Sequence, residues 1–391
     1  MQIYLDNSAT TKPRSEAIAA AQEVFKQQWG NPSSLHDWGQ RSATVLEIAR
    51  IQVAGLIKAL NPESIVFTSG GTEANNLAIW GVAKQYSKPQ HIIISSIEHS
   101  AINEPAKLLE QRGWQITKLP VNHYGRVNPL DLQAALQPNT VLVSVIYGQS
   151  EVGTLQPIEK LAAIAKEHGA LFHTDAVQVA GRLPIDVERL GVDLLSLSAH
   201  KLYGIQGAGA LYLREGINLV PLLSGGGQEA SLRSGTQAVP AIAALGVVAQ
   251  LAAAEMSTEV FRLMSLRDRL FDLMADYSCL EATGDRIYRL PHHVSFILSD
   301  RFAAQAPDIT GKTIVRQLNQ AGIGISAGSA CHSGKLNPSP ILTAMGYEPA
   351  AAKRGIRLTL GRDTIEADID WTAMVLKQVI CRLMPSLVCC G

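Results

Sequence analysis

Charge is scarce in this sequence and neither sign prevails: only 17% of its 391 residues are Asp, Glu, Lys or Arg, and 34 basic residues balance 34 acidic ones. With no excess of Lys and Arg to neutralise phosphates, and no basic tail or polybasic patch, direct nucleic-acid binding is not expected. The low-apolar, highly charged composition of a disordered chain is missing too, since 47% of the residues are hydrophobic. The amino terminus lacks a basic stretch followed by an apolar run and a small-residue cleavage site, so no signal peptide is read and a cytoplasmic location is expected. No run of about 20 strongly apolar residues suggests a membrane span. The most apolar segment, Ala238 to Ala254, is broken by Pro240 and Gln250 and rich in Ala and Gly, which predicts a buried helix. Cysteine is sparse: Cys279, Cys331, Cys381, Cys389 and Cys390 show neither a disulfide framework nor paired zinc-ligand spacing.

What is present is a length suited to two or three domains at roughly 150 residues each. Short aliphatic runs recur between longer amphipathic stretches: Ile65 to Phe67, Ile92 to Ile94, Val141 to Ile146, Leu171-Phe172, Leu194 to Leu197 and Ala210 to Leu213. Continuous apolar strands separated by helical patterns, such as Leu132 to Leu136 and Ile158 to His168, predict an α/β domain with a largely parallel sheet covered on both faces. After the Ala-rich helix, Val260, Leu263, Met264, Leu270, Leu273 and Met274 predict a long amphipathic helix leading into a second domain. There Val294 to Ile297, a helix from about Lys312, Ile323 to Ile325 and Ile356 to Leu360 alternate.

Four segments carry candidate chemistry. Ser69-Gly70-Gly71-Thr72-Glu73-Ala74-Asn75, between a strand and a helix, is either a phosphate cradle at a helix N-terminus or a glycine turn with Thr72 as the helix cap. Asp175 closes an apolar strand, where alone it reads as a cap. Lys201 follows another strand and precedes the glycine-rich turn Gly204 to Gly209. Together these three are the parts of a pyridoxal phosphate site: an amine to bond the cofactor, an acid to keep its ring nitrogen protonated, and backbone N–H groups for its phosphate. The fourth, Ala327 to Gly334, places Cys331 beside His332 among small polar residues, a setting that favours a reactive thiol over a structural one. A dinucleotide-type Gly-x-Gly-x-x-Gly is absent after an early strand. Ala306 to Thr313 fits a relaxed P-loop, but the strand ending near Leu298 stops well before it, so Thr310 reads as a helix cap and an ATPase is a distant alternative.

These segments resemble the cysteine desulfurases of the NifS/IscS-like group, pyridoxal-phosphate-dependent enzymes of the class V aminotransferase kind. The resemblance runs nearly end to end, through Tyr4 to Thr11, Gly30 to Ser34, Ser69 to Asn76, Glu98-His99, the Asp175 and Lys201 segments, Arg233 to Thr236, Gly328 to Cys331 and Ile356 to Leu358. It implies the fold type I architecture of aspartate aminotransferase, with a large α/β domain over residues 16–261. A smaller α+β domain would comprise 1–15 with 262–391 and carry the cysteine loop and the tail.

The resemblance also implies roles. Lys201 would carry pyridoxal 5'-phosphate covalently, Asp175 would pair with the ring nitrogen and Gln178 with the ring hydroxyl, and His99 would stack on the ring and move protons. Gly71, Thr72, Ser198 and His200 would hold the phosphate, with Thr236 reaching in from the partner of a homodimer, and Arg357 would clamp the carboxylate of L-cysteine. Cys331 would accept the sulfur as a persulfide, leaving L-alanine, and pass it to acceptors such as an iron-sulfur scaffold or a tRNA-thiolation protein. No resident metal is implied, although Cys331 could ligate a transient iron-sulfur cluster. Gln149-Ser150-Glu151-Val152-Gly153 departs from the family's Asn-Asn-Glu: Ser150 stands where an Asn contacts cofactor and substrate, which predicts altered turnover or substrate preference. A selenocysteine lyase or another fold type I enzyme would share Lys201 and Asp175 without depending on Cys331.

Overall fold

The computed structural model describes residues 2–299, 308–328 and 337–383. Its larger core is built on a seven-stranded sheet of β2 (Ile65–Thr68), β3 (His91–Ser95), β4 (Gln115–Leu119), β5 (Thr140–Ser144), β6 (Leu171–Asp175), β7 (Leu194–Ser198) and β8 (Gly209–Leu213). Their spatial order is β2-β8-β7-β6-β5-β3-β4. β3 to β7 run parallel, as their apolar runs predict, and are buried on both faces apart from the edge strand β4. The sheet is mixed, however, because β8 is antiparallel to both β2 and β7. After β4 the chain returns across β3 to form β5, so the strand order reverses between β3 and β5. Loops leaving the carboxyl ends at such a reversal diverge and leave a crevice.

Helices α1 (Ser15–Gln27), α2 (Asp37–Ile57), α3 (Gly71–Ala83), α4 (Ser100–Glu110), α5 (Pro129–Ala135), α6 (Ile158–His168), α7 (Val187–Leu190) and α8 (Val239–Met274) surround the sheet. Phe67, Ile93, Val143, Phe172 and Leu195 face a core shared with α1, α2, α6 and α8. On the opposite face Val66, Ile92, Ile94, Leu142 and Leu194 pack with α3 and α4. This is the alternation of side chains that a strand dictates.

Two expected helices prove to be one. The Ala-rich segment and the amphipathic segment after Val260 form the continuous 36-residue α8, with Pro240 in its first turn, where a missing N–H costs nothing. By length and composition α8 is apolar enough to cross a membrane. Its first half instead packs against α1 and α2 through Ala241, Ala244, Leu245, Val248 and Ala249, as a buried core helix. Its second half contributes Leu263, Leu266, Leu270, Phe271 and Met274 to a separate core. That core includes the antiparallel sheet of β9 (Leu280–Ala282), β10 (His293–Leu298) and β12 (Gly355–Thr359), and the short pair of β1 (Ile3–Tyr4) with β11 (Ile323–Gly324). Ile3 and Leu5 thereby tie the amino terminus to the carboxyl-terminal third.

The P-loop alternative fares badly. Thr310 caps the helix Gly311–Gln320 through a reciprocal bond with Thr313. A Cβ on Gly311 would lie 2.1 Å from the Gly355 carbonyl oxygen, so this turn is pressed onto β12. Ala306 and Pro307 lie outside the described residues.

Candidate active site

Every strand that ends at the crevice delivers a polar side chain. β7 ends at Ser198 and passes through a single turn, Ala199–Lys201. Lys201 Nζ donates to the carbonyl oxygens of Ser8 at 2.7 Å and Ala9 at 2.5 Å. Gln178 Nε2 donates to the same Ser8 oxygen at 3.0 Å. The amino-terminal segment is held there by Thr11, whose hydroxyl donates to the His200 carbonyl at 2.9 Å. His200 Nδ1 lies 3.1 Å from Thr10 Oγ1. Burial, helped by the Lys201 charge, pushes the His200 imidazole down to about 4, so the ring is neutral at physiological pH.

β6 ends at Asp175, which is 4% exposed. One oxygen, Oδ1, accepts the Val177 N–H at 3.0 Å, closing a turn; no helix starts there, so the helix cap expected of an isolated strand-end Asp is not made. The other, Oδ2, accepts from Asn75 Nδ2 at 2.7 Å. Asn75 lies one turn into α3, and its role was not read from the sequence. The cap assigned to Thr72 is not made, because α3 begins at Gly71 with Gly70 as its cap and Thr72 is already in the first turn. The Ser69 N–H is instead taken by Glu73 Oε2 at 2.8 Å, and Glu73 Oε1 pairs with Arg233 Nε at 2.9 Å.

A Cβ on Gly71 would stand 2.8 Å from Val177 Cγ2 and 3.4 Å from Ser198 Cβ, so only glycine lets this helix start approach the ends of β6 and β7. First-turn N–H groups of a helix have no helical acceptors and favour an anion. Next to them Gln178 Oε1 is buried without a partner among the described residues, an acceptor that a donor can meet. An anion cradle, a buried acid, an open acceptor and an amine on one crevice fit a phosphorylated aromatic aldehyde such as pyridoxal phosphate.

β3 leads to Glu98 and His99. His99 caps α4: its Nδ1 accepts the Ala101 N–H at 3.1 Å, so the proton of the neutral ring sits on Nε2. Burial lowers the imidazole's pKa, with Asp175 opposing and Lys201 reinforcing the shift. Glu98 is buried. Its Oε1 accepts from Ser95 Oγ at 2.5 Å and from the Ile146 N–H at 2.7 Å, linking the ends of β3 and β5. Burial pushes its carboxyl up to about 8.

β12 supplies Arg357, which extends to Ser150 after β5. Nη1 donates to the Ser150 carbonyl at 3.0 Å, and Nη2 pairs with Asp6 Oδ1 at 2.6 Å. The same carbonyl lies 3.1 Å from His293 Nε2. Thus it is the backbone of Ser150, unread in the sequence, that joins Arg357. Glu151 beside it is buried, and burial raises its pKa against the opposing hydrogen bond from the Ser339 hydroxyl and the Arg357 charge. Thr236 is exposed, on a loop anchored by buried Glu229, which pairs with Arg50 at 2.9 Å and accepts the Phe67 N–H at 2.8 Å. The structure therefore gathers Lys201, Asp175, Gln178, Gly71, Ser198, His200 and His99 around one crevice, with Arg357 and Ser150 joined beside it. Cys331, Cys389 and Cys390 lie outside the described residues.

The family model described as aminotransferase class-V matches residues 3–371. The chain is 44% identical over 384 residues to a cysteine desulfurase IscS of Dictyoglomus turgidum, spanning 98% of this chain and 95% of that protein. It is 41% identical over 382 residues to a cysteine desulfurase IscS of Methanosarcina thermophila, spanning 97% and 92%. Among solved structures, a NifS-like protein superposes with a TM-score of 0.89 at 32% identity, over 98% of this chain and all of that one. SspA in complex with cysteine superposes with a TM-score of 0.80 at 32% identity, over 93% of this chain and 100% of its own.

Proposed function

The chain belongs to the class-V aminotransferase family and is a pyridoxal-phosphate-dependent cysteine desulfurase, and from that premise we propose which of its residues carry the reaction. Pyridoxal phosphate, when bound, supplies an electron sink that weakens the Cβ–S bond of the substrate. Lys201 anchors it, Gly71, Thr72, Ser198 and His200 hold its phosphate, and Asp175, oriented by Asn75, holds the proton on its ring nitrogen. Gln178 Oε1 accepts from the ring hydroxyl, and Ser150 borders the cofactor and the substrate. His99 would stack on the ring and move protons at Nε2, the nitrogen that carries the proton of the neutral ring because Nδ1 accepts the Ala101 N–H. Arg357 takes the carboxylate of L-cysteine; the solved relative SspA carries cysteine itself.

The Cys331 thiolate attacks the substrate sulfur, which leaves Cβ as that carbon gains a proton. L-cysteine and the Cys331 thiol become L-alanine and a Cys331 persulfide, with no outside oxidant. The observation that supports the cofactor site is the meeting of Lys201 Nζ with the Ser8 oxygen that Gln178 also holds, beside the Asn75–Asp175 pair.

The physiological setting belongs to the same proposal: a cytoplasmic homodimer, divided into 16–261 and 1–15 with 262–391, delivering sulfur to an iron-sulfur scaffold or a tRNA-thiolation protein. Exposed Trp29, Leu35 and Trp38, together with exposed Thr236, support a partner subunit, and the two separate cores support the division. The test is alanine formation from L-cysteine by the holoenzyme. Lys201→Ala is expected to lose the yellow absorbance, and Cys331→Ser to keep the colour and form no alanine. Alanine formed by Cys331→Ser at the wild-type rate overturns the persulfide assignment.

A further inference from the structure

The guanidinium of Arg357 is held with a countercharge already in place. Its side chain is 3% exposed, and its partner Asp6 is 18% exposed. Nη1 is taken by the Ser150 carbonyl and Nη2 by Asp6 Oδ1, whereas Nε–H is buried with no acceptor among the described residues. Asp6 lies two residues before Ser8, whose carbonyl receives Lys201 Nζ, so this carboxylate belongs to the segment lining the crevice. The other acid beside the guanidinium, Glu151, is buried, and burial favours its neutral form.

A buried arginine alone is an anion site and attracts any carboxylate. With Asp6 at 2.6 Å the pair has no net charge. An incoming simple anion gains from Arg357 but is repelled by Asp6. A zwitterion meets the same repulsion at its carboxylate, yet its ammonium is attracted by the same acid. We propose that Asp6 sets the charge balance at Arg357 so that the site admits a zwitterionic amino acid in preference to a simple carboxylate. The inference rests on Arg357 being the residue that receives the substrate carboxylate. It makes Asp6 a specificity-determining residue, acting by the like-charge penalty that distinguishes partners at charged sites.

The test compares L-cysteine with 3-mercaptopropionate, which keeps the thiol and carboxylate but lacks the ammonium, on the holoenzyme. KM is read for the first and calorimetric Kd for the second. Asp6→Asn is expected to tighten 3-mercaptopropionate about tenfold or more while changing the KM for L-cysteine less than about threefold, the order expected when a neighbouring like charge is removed. Asp6→Glu, which keeps the charge, is expected to keep the wild-type ratio. Unchanged or weaker binding of 3-mercaptopropionate by Asp6→Asn overturns the proposal, as does weakening of both ligands together, the mark of a merely structural residue. Should Asp6→Asn not fold, Asp6→Ser serves with the same criteria. Arg357→Gln tests the underlying reading separately. If it weakens both ligands while Asp6→Asn leaves 3-mercaptopropionate unchanged, only the role of Asp6 falls. If Arg357→Gln weakens neither, the carboxylate assignment itself falls.

Discussion

Asn75 and Asp175, 100 residues apart in the chain, are joined by a 2.7 Å hydrogen bond from the Asn75 amide to Asp175 Oδ2, with both side chains buried. The bond leaves Asp175 an acceptor at both oxygens, because Oδ1 takes the Val177 N–H. Both oxygens of this buried acid are therefore satisfied by donors that the fold itself supplies.

Removing the amide exposes that dependence. Asn75→Ala strands a buried carboxylate oxygen, which is expected to cost about 1–3 kcal/mol of folding stability. Urea unfolding measures this. Cofactor affinity, read from the visible absorbance during dilution, is expected to fall with it, and unaltered affinity would separate Asn75 from the ring nitrogen.

Glu98 predicts a pH dependence. Its carboxyl is raised from the ordinary 4.5 to about 8, so the folded protein holds a proton that the unfolded chain releases. The stabilisation from this neutral acid is complete below about pH 4.5 and is lost as pH rises through about 8. Glu98→Gln, neutral throughout, is expected to show a flatter profile of melting temperature between pH 5 and 8.5. Parallel profiles for the two proteins would sink the assignment.

Ser150→Asn restores the residue usual in the family. Since Arg357 and His293 contact the backbone carbonyl, the change leaves those partners in place. The expected result is an unchanged melting temperature with a kcat/KM altered by roughly two- to tenfold, as for a gained or lost hydrogen bond of about 0.5–1.5 kcal/mol. Identical kinetics would show that the side chain at this position is idle.

Glu229→Ala removes an acid whose side chain is 1% exposed and which binds Arg50, the Phe67 N–H and Gln237. Leaving the largely buried Arg50 cation with only the more exposed Glu47 as counterion is expected to cost up to about 3 kcal/mol, the low end for breaking a buried pair. The loop bearing Thr236 loses its anchor as well, so the variant is expected to show weakened dimerisation in sedimentation velocity, if Thr236 serves the partner subunit.

Much of this protein is determined by local sequence. Apolar runs bounded by turn residues place β2, β3, β5, β6, β7 and β8, because strand burial leaves a direct trace in composition. Gly71, Asp175 and Lys201 stand out because each follows such a run, where a strand end meets the crevice. Strand direction was less legible: the run Ala210 to Leu213 looks like its neighbours, and its antiparallel course follows from where the chain re-enters the sheet. One helix was read as two, since its first half is buried against α1 and α2 and its second turns an amphipathic face to another core.

Only the tertiary structure decided how buried polar and charged groups pair across the chain. Asp6 with Arg357, Glu229 with Arg50 and Asn75 with Asp175 are separated by 351, 179 and 100 residues. Periodicity reports which residues are buried, but it does not report which buried groups meet. That choice rests on the desolvation of each ion, which is offset only where the fold brings a partner within hydrogen-bonding distance.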